Sequence, residues 1–157
     1  MARKGKPVDR TICRSRKARF RYTILEEIEC GIVLTGTEVK SLRARTVSIE
    51  EAYARIERGE LWLIGCHVSP YKHGTIQEHD PIRRRKLLVR GRELRKLRPK
   101  VEQKGQTLIP LSMHFNERGI AKVVLGLAVG KKLHDKRQTL RDRQHKREMD
   151  RATKWRS

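Results

Sequence analysis

The sequence predicts a mainly β, α+β fold: a small antiparallel barrel with a few inserted helices, followed by a basic C-terminal tail that is disordered on its own. Three observations predict it. Several short segments alternate apolar with polar side chains, the period of a strand with one buried face. Hairpin turn residues, Arg58-Gly59 and Asn116-Glu117-Arg118-Gly119, separate consecutive pairs of these segments. The last 28 residues, from Gly130, hold eleven Lys or Arg against four Asp or Glu and almost nothing that could build a core. The regular strand–helix alternation of a parallel sheet is absent.

Arg19 to Glu27 is expected as the first strand, with Phe20, Tyr22 and Ile24 on one face, and Gly31 to Leu34 as a second. Thr37 to Arg43 reads as a short helix opened by Thr35 or Thr37. Ala52 to Glu57 and Leu61 to Val68 flank Arg58-Gly59 as a hairpin with Tyr53 and Trp62 on its strands, and Ser69-Pro70 ends it. On a barrel face both rings could be stacking platforms for bases, but with aromatics at only 4 % they are expected to serve packing. His73 to Pro81 reads as a loop. Arg83 to Lys104 is helical in type, with Leu87, Leu88, Leu94, Leu97 and Val101 in helical spacing and Pro99 opening a last turn. Thr107, Ile109, Leu111, Met113 and Phe115 then alternate, Asn116 to Gly119 turns, and Ile120 to Val129 returns. About six short antiparallel strands with basic attachments match the oligonucleotide-binding barrel architecture.

The tail fails as an autonomous helix. Leu133, Leu140 and Trp155 would share a narrow arc, but Arg137, Gln144 and Arg151 lie on it too. Three apolar side chains bury too little to offset an ordering cost of about 1 to 2 kcal/mol per residue. The expected division is a basic arm over residues 1–14, a barrel domain over 15–129 and a tail over 130–157 that becomes helical against a polyanion.

Charge identifies that polyanion. The net +21 comes in blocks: nine basic and one acidic residue in 1–22, eleven and three in 61–100, eleven and four in the tail. Such blocks are the electrostatic footprint of a phosphate-backbone binder, and RNA is the leading candidate. A membrane is the rival, but no segment approaches the roughly 18 apolar residues of a span, and the basic segments lack the apolar face of an interfacial helix. The N-terminus has no apolar run behind its basic residues, so a secretory signal is not expected and the cytoplasm is. Cys13, Cys30 and Cys66 show no paired spacing, which predicts reduced thiols and no zinc site. A nuclease would need His67, His73, His79, Asp80 and His114 to converge, and no metal-ligand motif, phosphate-binding loop or nucleophile elbow is present. Neither metal, cofactor nor catalysis is expected. Arg83-Arg84-Arg85-Lys86, with no close acid in sequence, reads as a phosphate clamp on a helix face.

Four motifs then carry a resemblance. Ser15-Arg16-Lys17-Ala18-Arg19, the run from Glu29-Cys30-Gly31 to Ser41-Leu42-Arg43, His79-Asp80-Pro81 with Arg85-Lys86-Leu87-Leu88, and Gly130-Lys131-Lys132-Leu133-His134-Asp135-Lys136-Arg137 occur in the order seen in the small protein B family. These are the SsrA-binding proteins of bacterial trans-translation. Each motif is weak alone; together, with fitting spacings from about residue 12 to the tail, they are specific. The resemblance implies an oligonucleotide-binding-type barrel, acting as a monomer, that grips the tRNA-like domain of transfer-messenger RNA and escorts it into stalled ribosomes. It implies a tail that becomes helical in the empty mRNA channel, and it brings elongation factor Tu in as a further partner.

Carried over by residue, Glu29, Leu88 and Lys122 fall where the family holds RNA, and Ser15, Arg16, Lys17 and Arg19 belong to the same interface. The family often has Asn at the place of Ser15 and His at the place of Phe20. Lys131, Lys132, His134, Asp135, Lys136 and Arg137 match the motif associated with small-subunit rRNA at the decoding centre. By pattern alone Leu88 is a core residue and Glu29 a strand-end carboxylate paired with an arginine. A ribosomal or assembly protein would share the basic arms and the small barrel, and preference for transfer-messenger RNA over bulk ribosomal RNA separates the two.

Overall fold

The strongest alternation in the chain gives its longest hairpin. In a computed structural model that describes residues 9–72 and 79–155, β8 (Gln106–Phe115) and β9 (Ala121–Gly130) pair antiparallel. Asn116 closes the turn between them: its Oδ1 accepts the N–H groups of Arg118 and Ile120 at 3.0 and 2.8 Å. The ladder slips between Pro110 and Ser112, where proline has no N–H to give. Residues 1–8, within the expected N-terminal arm, and 73–78, within the expected loop, lie outside the described residues, as does His73.

The remaining elements are β1 (Thr11–Arg14), α1 (Ala18–Arg21), β2 (Tyr22–Ile32), α2 (Gly36–Arg43), β3 (Val47–Ser48), β4 (Tyr53–Glu57), β5 (Glu60–Ile64), β6 (His67–Val68), β7 (Arg85–Leu88), α3 (Gly91–Glu102) and α4 (Leu133–Trp155). Seven strands are ordered β1-β8-β4-β5-β7-β2-β9, and because β8 also pairs with β9, six of them follow one another in a ring of antiparallel pairings. β3 and β6 form a separate pair. Leu61, Leu63, Leu87, Leu108, Met113, Val123 and Leu125 fill the ring and are at most 2 % exposed. Leu42 of α2 and Leu97 of α3 join the same core. The β4–β5 turn needs left-handed backbone at two successive residues, which Arg58 (φ 50°) and Gly59 (φ 75°) supply. Thr35 caps α2 in a capping box with Glu38.

Three elements differ from the sequence-based expectations. Arg19 to Glu27 is not one strand: the N–H groups of Phe20 and Arg21 bond back to the Lys17 carbonyl, making α1. β2 then begins at Tyr22 and runs unbroken through Gly31 to Ile32. Residues 83–90 are not helical. Their leucines fit a helical period locally, but β7 is claimed by ladders with β5 on one side and β2 on the other. Pro99 lies inside α3 instead of opening a turn, since only a short segment follows it. The tail is a 23-residue helix, α4, with no buried residue. Side-chain bonds such as Gln138 to Asp142 and Gln144 to Glu148 link its successive turns, and its start is rooted on α1. There the Lys131 N–H donates to Arg21 O at 2.9 Å, its Nζ to Arg19 O at 2.8 Å, and the Arg143 guanidinium lies 5.5 Å from the Phe20 ring.

One polar cluster lies inside this apolar frame. Glu38 and Arg85 are both fully buried. Glu38 Oε1 accepts Arg85 Nε at 2.9 Å and Arg83 Nε at 2.7 Å; its Oε2 accepts Arg83 Nη2 at 2.6 Å and the Thr35 N–H at 2.8 Å. Arg85 Nη1 donates to the carbonyls of Cys66 and Arg83 at 2.9 and 3.0 Å, and Nη2 to those of Asp80 and Pro81 at 3.4 and 3.2 Å. All five guanidinium donors are used, and both carboxylate oxygens accept twice. Burial alone would raise the Glu38 pKa, but the Arg83 hydrogen bond, the Thr35 N–H and the charges of Arg85 and Arg83 bring it below the ordinary 4.5.

A group whose pKa falls on folding stabilises the protein above its unfolded value and loses that contribution as the pH drops through the folded one. Glu38→Gln is therefore expected to cost about 3 to 5 kcal/mol at neutral pH, because Arg85 keeps a buried, uncompensated charge. The gap to the unsubstituted protein should narrow as the pH is taken below 4.5. Urea unfolding of both proteins across that range measures it, and a pH-independent difference would contradict the ion-pair origin.

Candidate nucleic-acid interface

The cationic run Arg83 to Lys86 is the first place where the structure departs from the sequence reading. It lies on and just before a strand, not on a helix, and it is not free of acids. Arg83 and Arg85 bind Glu38, Arg84 Nη2 meets Glu57 Oε2 at 2.6 Å, and Lys86 Nζ meets Glu60 Oε1 at 2.7 Å. Those partners lie 26 to 47 residues earlier in the chain, so no local window of sequence shows them. Arg85 is sealed inside and cannot touch RNA. The side chains of Arg83, Arg84 and Lys86 remain 30, 49 and 39 % exposed, which leaves three partly neutralised cations in place of a four-residue clamp.

Because strand side chains alternate, turning Arg85 and Leu87 inward turns Lys86 and Leu88 outward. Leu88 is 52 % exposed and is not a core residue. It stands opposite Gly31 on β2, and Gly31 stands opposite Lys122 on β9. A Cβ at position 31 would come within 3.3 Å of the Leu88 Cβ, so glycine lets the leucine lie against the β2 backbone. Glu29, Leu88, Arg90 and Lys122 line one cleft above this glycine. Lys122 forms no salt bridge with a described residue. Glu29 pairs not with an arginine but with His114, whose Nε2 is 3.5 Å from Glu29 Oε2, and its side chain stays 56 % exposed.

Two further clefts continue the first. Glu29 and His114 also line one with Arg10 and Thr11, and His114 lines a third with Arg14, Ser15 and Arg19. Shared residues thus run the recess from Leu88 across β2, β9 and β8 to β1 and α1. At its β1–α1 end lie Ser15 and Arg19: the Ser15 hydroxyl is 3.4 Å from Glu50 Oε2, the neighbouring Arg16 N–H donates to Glu50 Oε1 at 3.0 Å, and Arg19 meets Glu27 at 2.6 Å. The side chains of Arg16 and Lys17 are exposed and make no ion pair with a described acid. Sequence reasoning assigned His114 only to a hypothetical metal set and passed over Gly31 and Arg90. The close spacing of Glu29 and Gly31 in one motif was the available signal.

The tail residues line none of these clefts. Lys131 is fixed to α1, while Lys132, His134, Asp135 and Arg137 point from the first turns of α4 into solvent. The His134 side chain is 90 % exposed, with only Asp135 beside it at 3.9 Å. His79 is a structural residue: Nδ1 lies 3.0 Å from Thr37 Oγ1 and Nε2 2.9 Å from the Val68 carbonyl. No three His, Cys, Asp or Glu among the described residues gather as metal ligands. Burial pushes the thiols of Cys13 and Cys30 up to about 12 and that of Cys66 to about 11, so none is a nucleophile at neutral pH. No described helix is long and apolar enough to cross a membrane.

Comparison with known proteins agrees with these motifs. The family model described as SmpB protein matches residues 12–155. The SsrA-binding protein of Thermosynechococcus vestitus is 55 % identical over 148 residues, covering 94 % of this chain and 97 % of its own. That of Chelativorans sp. is 51 % identical over 146 residues, covering 93 % and 94 %. A solved chain from "tmRNA-SmpB: a journey to the center of the bacterial ribosome" superposes with a TM-score of 0.66 at 55 % identity, over 77 % of this chain and 85 % of that one. With a matching family model over nearly its whole length and relatives at half identity or better, the chain belongs to the SmpB family of SsrA-binding proteins.

Proposed function

We propose that this protein is a non-enzymatic, cytoplasmic RNA-binding factor of trans-translation. It holds the tRNA-like domain of transfer-messenger RNA on its barrel, an oligonucleotide-binding-type domain over residues 15–129, and delivers it to stalled ribosomes. One observation carries the reading: Glu29, Leu88 and Lys122, far apart in sequence, converge in one cleft. The cleft offers the groups that irregular RNA requires. Lys122 supplies an unpaired cation for a phosphate, the exposed Leu88 side chain an apolar seat for a sugar or base, and Glu29 an acceptor for a 2′-hydroxyl or an exocyclic amine. Ser15, Arg16, Lys17 and Arg19 extend the contact along the recess, and Arg83, Arg84 and Lys86 flank it.

The tail over residues 130–157 has a separate partner. Its helix buries nothing, and like charges stand four apart at Lys132 and Lys136 and at Arg143 and Arg147. Free, it is expected to fray toward disorder; along the empty mRNA channel, rRNA phosphates meet those charges and the helix is held. His134, with Lys131, Lys132, Asp135, Lys136 and Arg137, then reaches the small-subunit decoding centre. An occupied channel excludes the tail, so the protein accepts only ribosomes that have run out of message. It acts as a monomer, and elongation factor Tu is the further partner to be tested on the delivered complex.

Recovery and sequencing of the RNA bound to the tagged protein tests the whole reading: one structured RNA far above the rest supports it, and a broad ribosomal profile refutes it. Glu29→Ala and Leu88→Asp should each weaken the complex with the tRNA-like domain, whereas removal of residues after Gly130 should leave it intact. Because Leu88 is exposed, its substitution should leave the thermal unfolding midpoint in place, which separates lost contact from lost fold.

Affinity should fall by roughly 10³ to 10⁵ between 50 and 200 mM salt if six to ten phosphates are contacted. A flat titration would contradict a phosphate-led interface. Arg141→Pro, costing about 3 kcal/mol in a helix interior, should spare binding to the tRNA-like domain yet block tagging of stalled peptides in a reconstituted translation reaction. Normal tagging would overturn the role given to the tail helix.

A further inference from the structure

Trp62, for which the sequence leaves both a packing role and a stacking role open, is half-buried on the outside of the sheet. On β5 its neighbours Leu61 and Leu63 are 2 % and 0 % exposed, so the indole takes the outer face of the sheet. Its cross-strand neighbours there are Arg55 on β4 and Lys86 on β7. The Arg84 guanidinium lies 5.8 Å from the ring centroid and is held by Glu57 at 2.6 Å; Glu57 also faces Arg55 Nε at 3.6 Å. Two acids, Glu57 and Glu60, thus serve four cations on this hairpin and its neighbour: Arg55, Arg58, Arg84 and Lys86.

This arrangement is specific in what it leaves open. Glu57 Oε2 takes one N–H of Arg84 Nη2, which occupies part of the forked edge that would clamp a phosphate. What remains toward solvent is a flat cationic surface backed by an indole. Such a surface suits the face of an unpaired base, which stacks on aromatic rings and on guanidinium planes alike. Arg55 and Lys86, on either side, are placed for the adjoining phosphates. The platform is also continuous with the cleft already described. Lys86 and Leu88 share the outer face of β7, and Leu88 meets Gly31, whose other neighbour is Lys122. With strands about 4.8 Å apart and two residues of offset, the indole stands roughly 12 Å from the cleft floor, within one or two nucleotides of extended strand.

We propose that the stacked pair Trp62–Arg84 is a second RNA-binding site, a preformed platform for an unpaired base, with Arg55 and Lys86 holding its phosphates. It rests on the reading of the chain as an RNA binder and extends that reading from structured RNA to single-stranded segments. The pair is built in advance: Glu57 fixes the guanidinium, so little freedom is lost when a base arrives.

The test uses the full chain with Trp155→Phe, which leaves Trp62 as the sole tryptophan. The probes are a short single-stranded oligouridylate and a blunt RNA duplex with the same number of phosphates. Oligouridylate should quench the Trp62 emission and the duplex should not. Trp62→Ala should lower oligouridylate affinity by roughly 5- to 150-fold, the span of a single base stack, with duplex affinity unchanged, and Arg84→Ala should lower oligouridylate affinity by more than it lowers duplex affinity. Trp62→Phe should keep most of the affinity, and Arg84→Lys, which keeps the charge but not the plane, should not. Equal quenching by both probes, or wild-type oligouridylate binding by Arg84→Lys, would overturn the platform and leave only a charged face. Thermal unfolding of each variant guards against loss of the fold. Glu29→Ala, assayed in parallel on the tRNA-like domain, reports on the cleft alone, so the two readings fail independently.

Discussion

A carboxylate and a guanidinium with no access to water hold this protein's working surfaces in place. Glu38 and Arg85 would be costly to bury singly, and the arrangement is tolerated because every donor and acceptor on both is matched. The bonds tie together the Thr35 cap of α2, the carbonyls of Cys66, Asp80 and Pro81, and the start of β7. His79, bonded to Thr37 and Val68, fastens the same corner. Once Arg85 is drawn inward, the period-two geometry of β7 dictates the rest. Leu87 enters the core, Lys86 faces Trp62, and Leu88 stands over Gly31 beside the cleft.

The acids of the chain have a corresponding role. They are concentrated in residues 23–60, the segment with a negative net charge, and they hold basic side chains contributed from elsewhere. Glu26 faces Lys100, Glu27 faces Arg19, Glu57 orients Arg84 and Glu60 holds Lys86. Exposed pairs of this kind add little stability. Their effect is to fix the direction of long, mobile cations, sorting them from others, Arg16, Lys17 and Lys122 among them, that form no salt bridge with a described acid. Specific recognition by a chain of net charge +21 needs such selection, since an unsorted positive surface would bind any polyanion.

The tail and the domain are joined at α1, a helix too short to stand without its neighbours. Lys131 Nζ donates to the Arg19 carbonyl and to the Thr139 hydroxyl of α4, and Arg143 lies against Phe20. α4 therefore starts from a fixed root next to the recess, while its remaining 23-residue length, about 35 Å at helical rise, carries no apolar face that could fold back on the barrel. A fixed root and a solvent-exposed shaft are what the two partners proposed for this molecule require.

The sequence by itself determined the elements whose signals are local: the hairpin at Arg58-Gly59, the β8–β9 hairpin, the capped helix at Thr35, the charge blocks, and the motifs that mark the family. Each depends on neighbours within a few residues, where period, turn chemistry and composition act directly. Tertiary structure alone decided the identity of residues 83–90, where a helical spacing of leucines gave way to ladders with β5 and β2. It decided that Arg85 is a core residue and Leu88 a surface one, reversing what each side chain's polarity suggests. It also set Trp62 under Arg84 and brought Glu29, Leu88 and Lys122 together. In each of these cases the deciding partner is tens of residues away: Glu38 for Arg85, Gly31 for Leu88, Glu57 for the guanidinium over Trp62. A buried charge can be stabilised only by a partner that closes on it in space, and closure of the ring of strands is what brings that partner near.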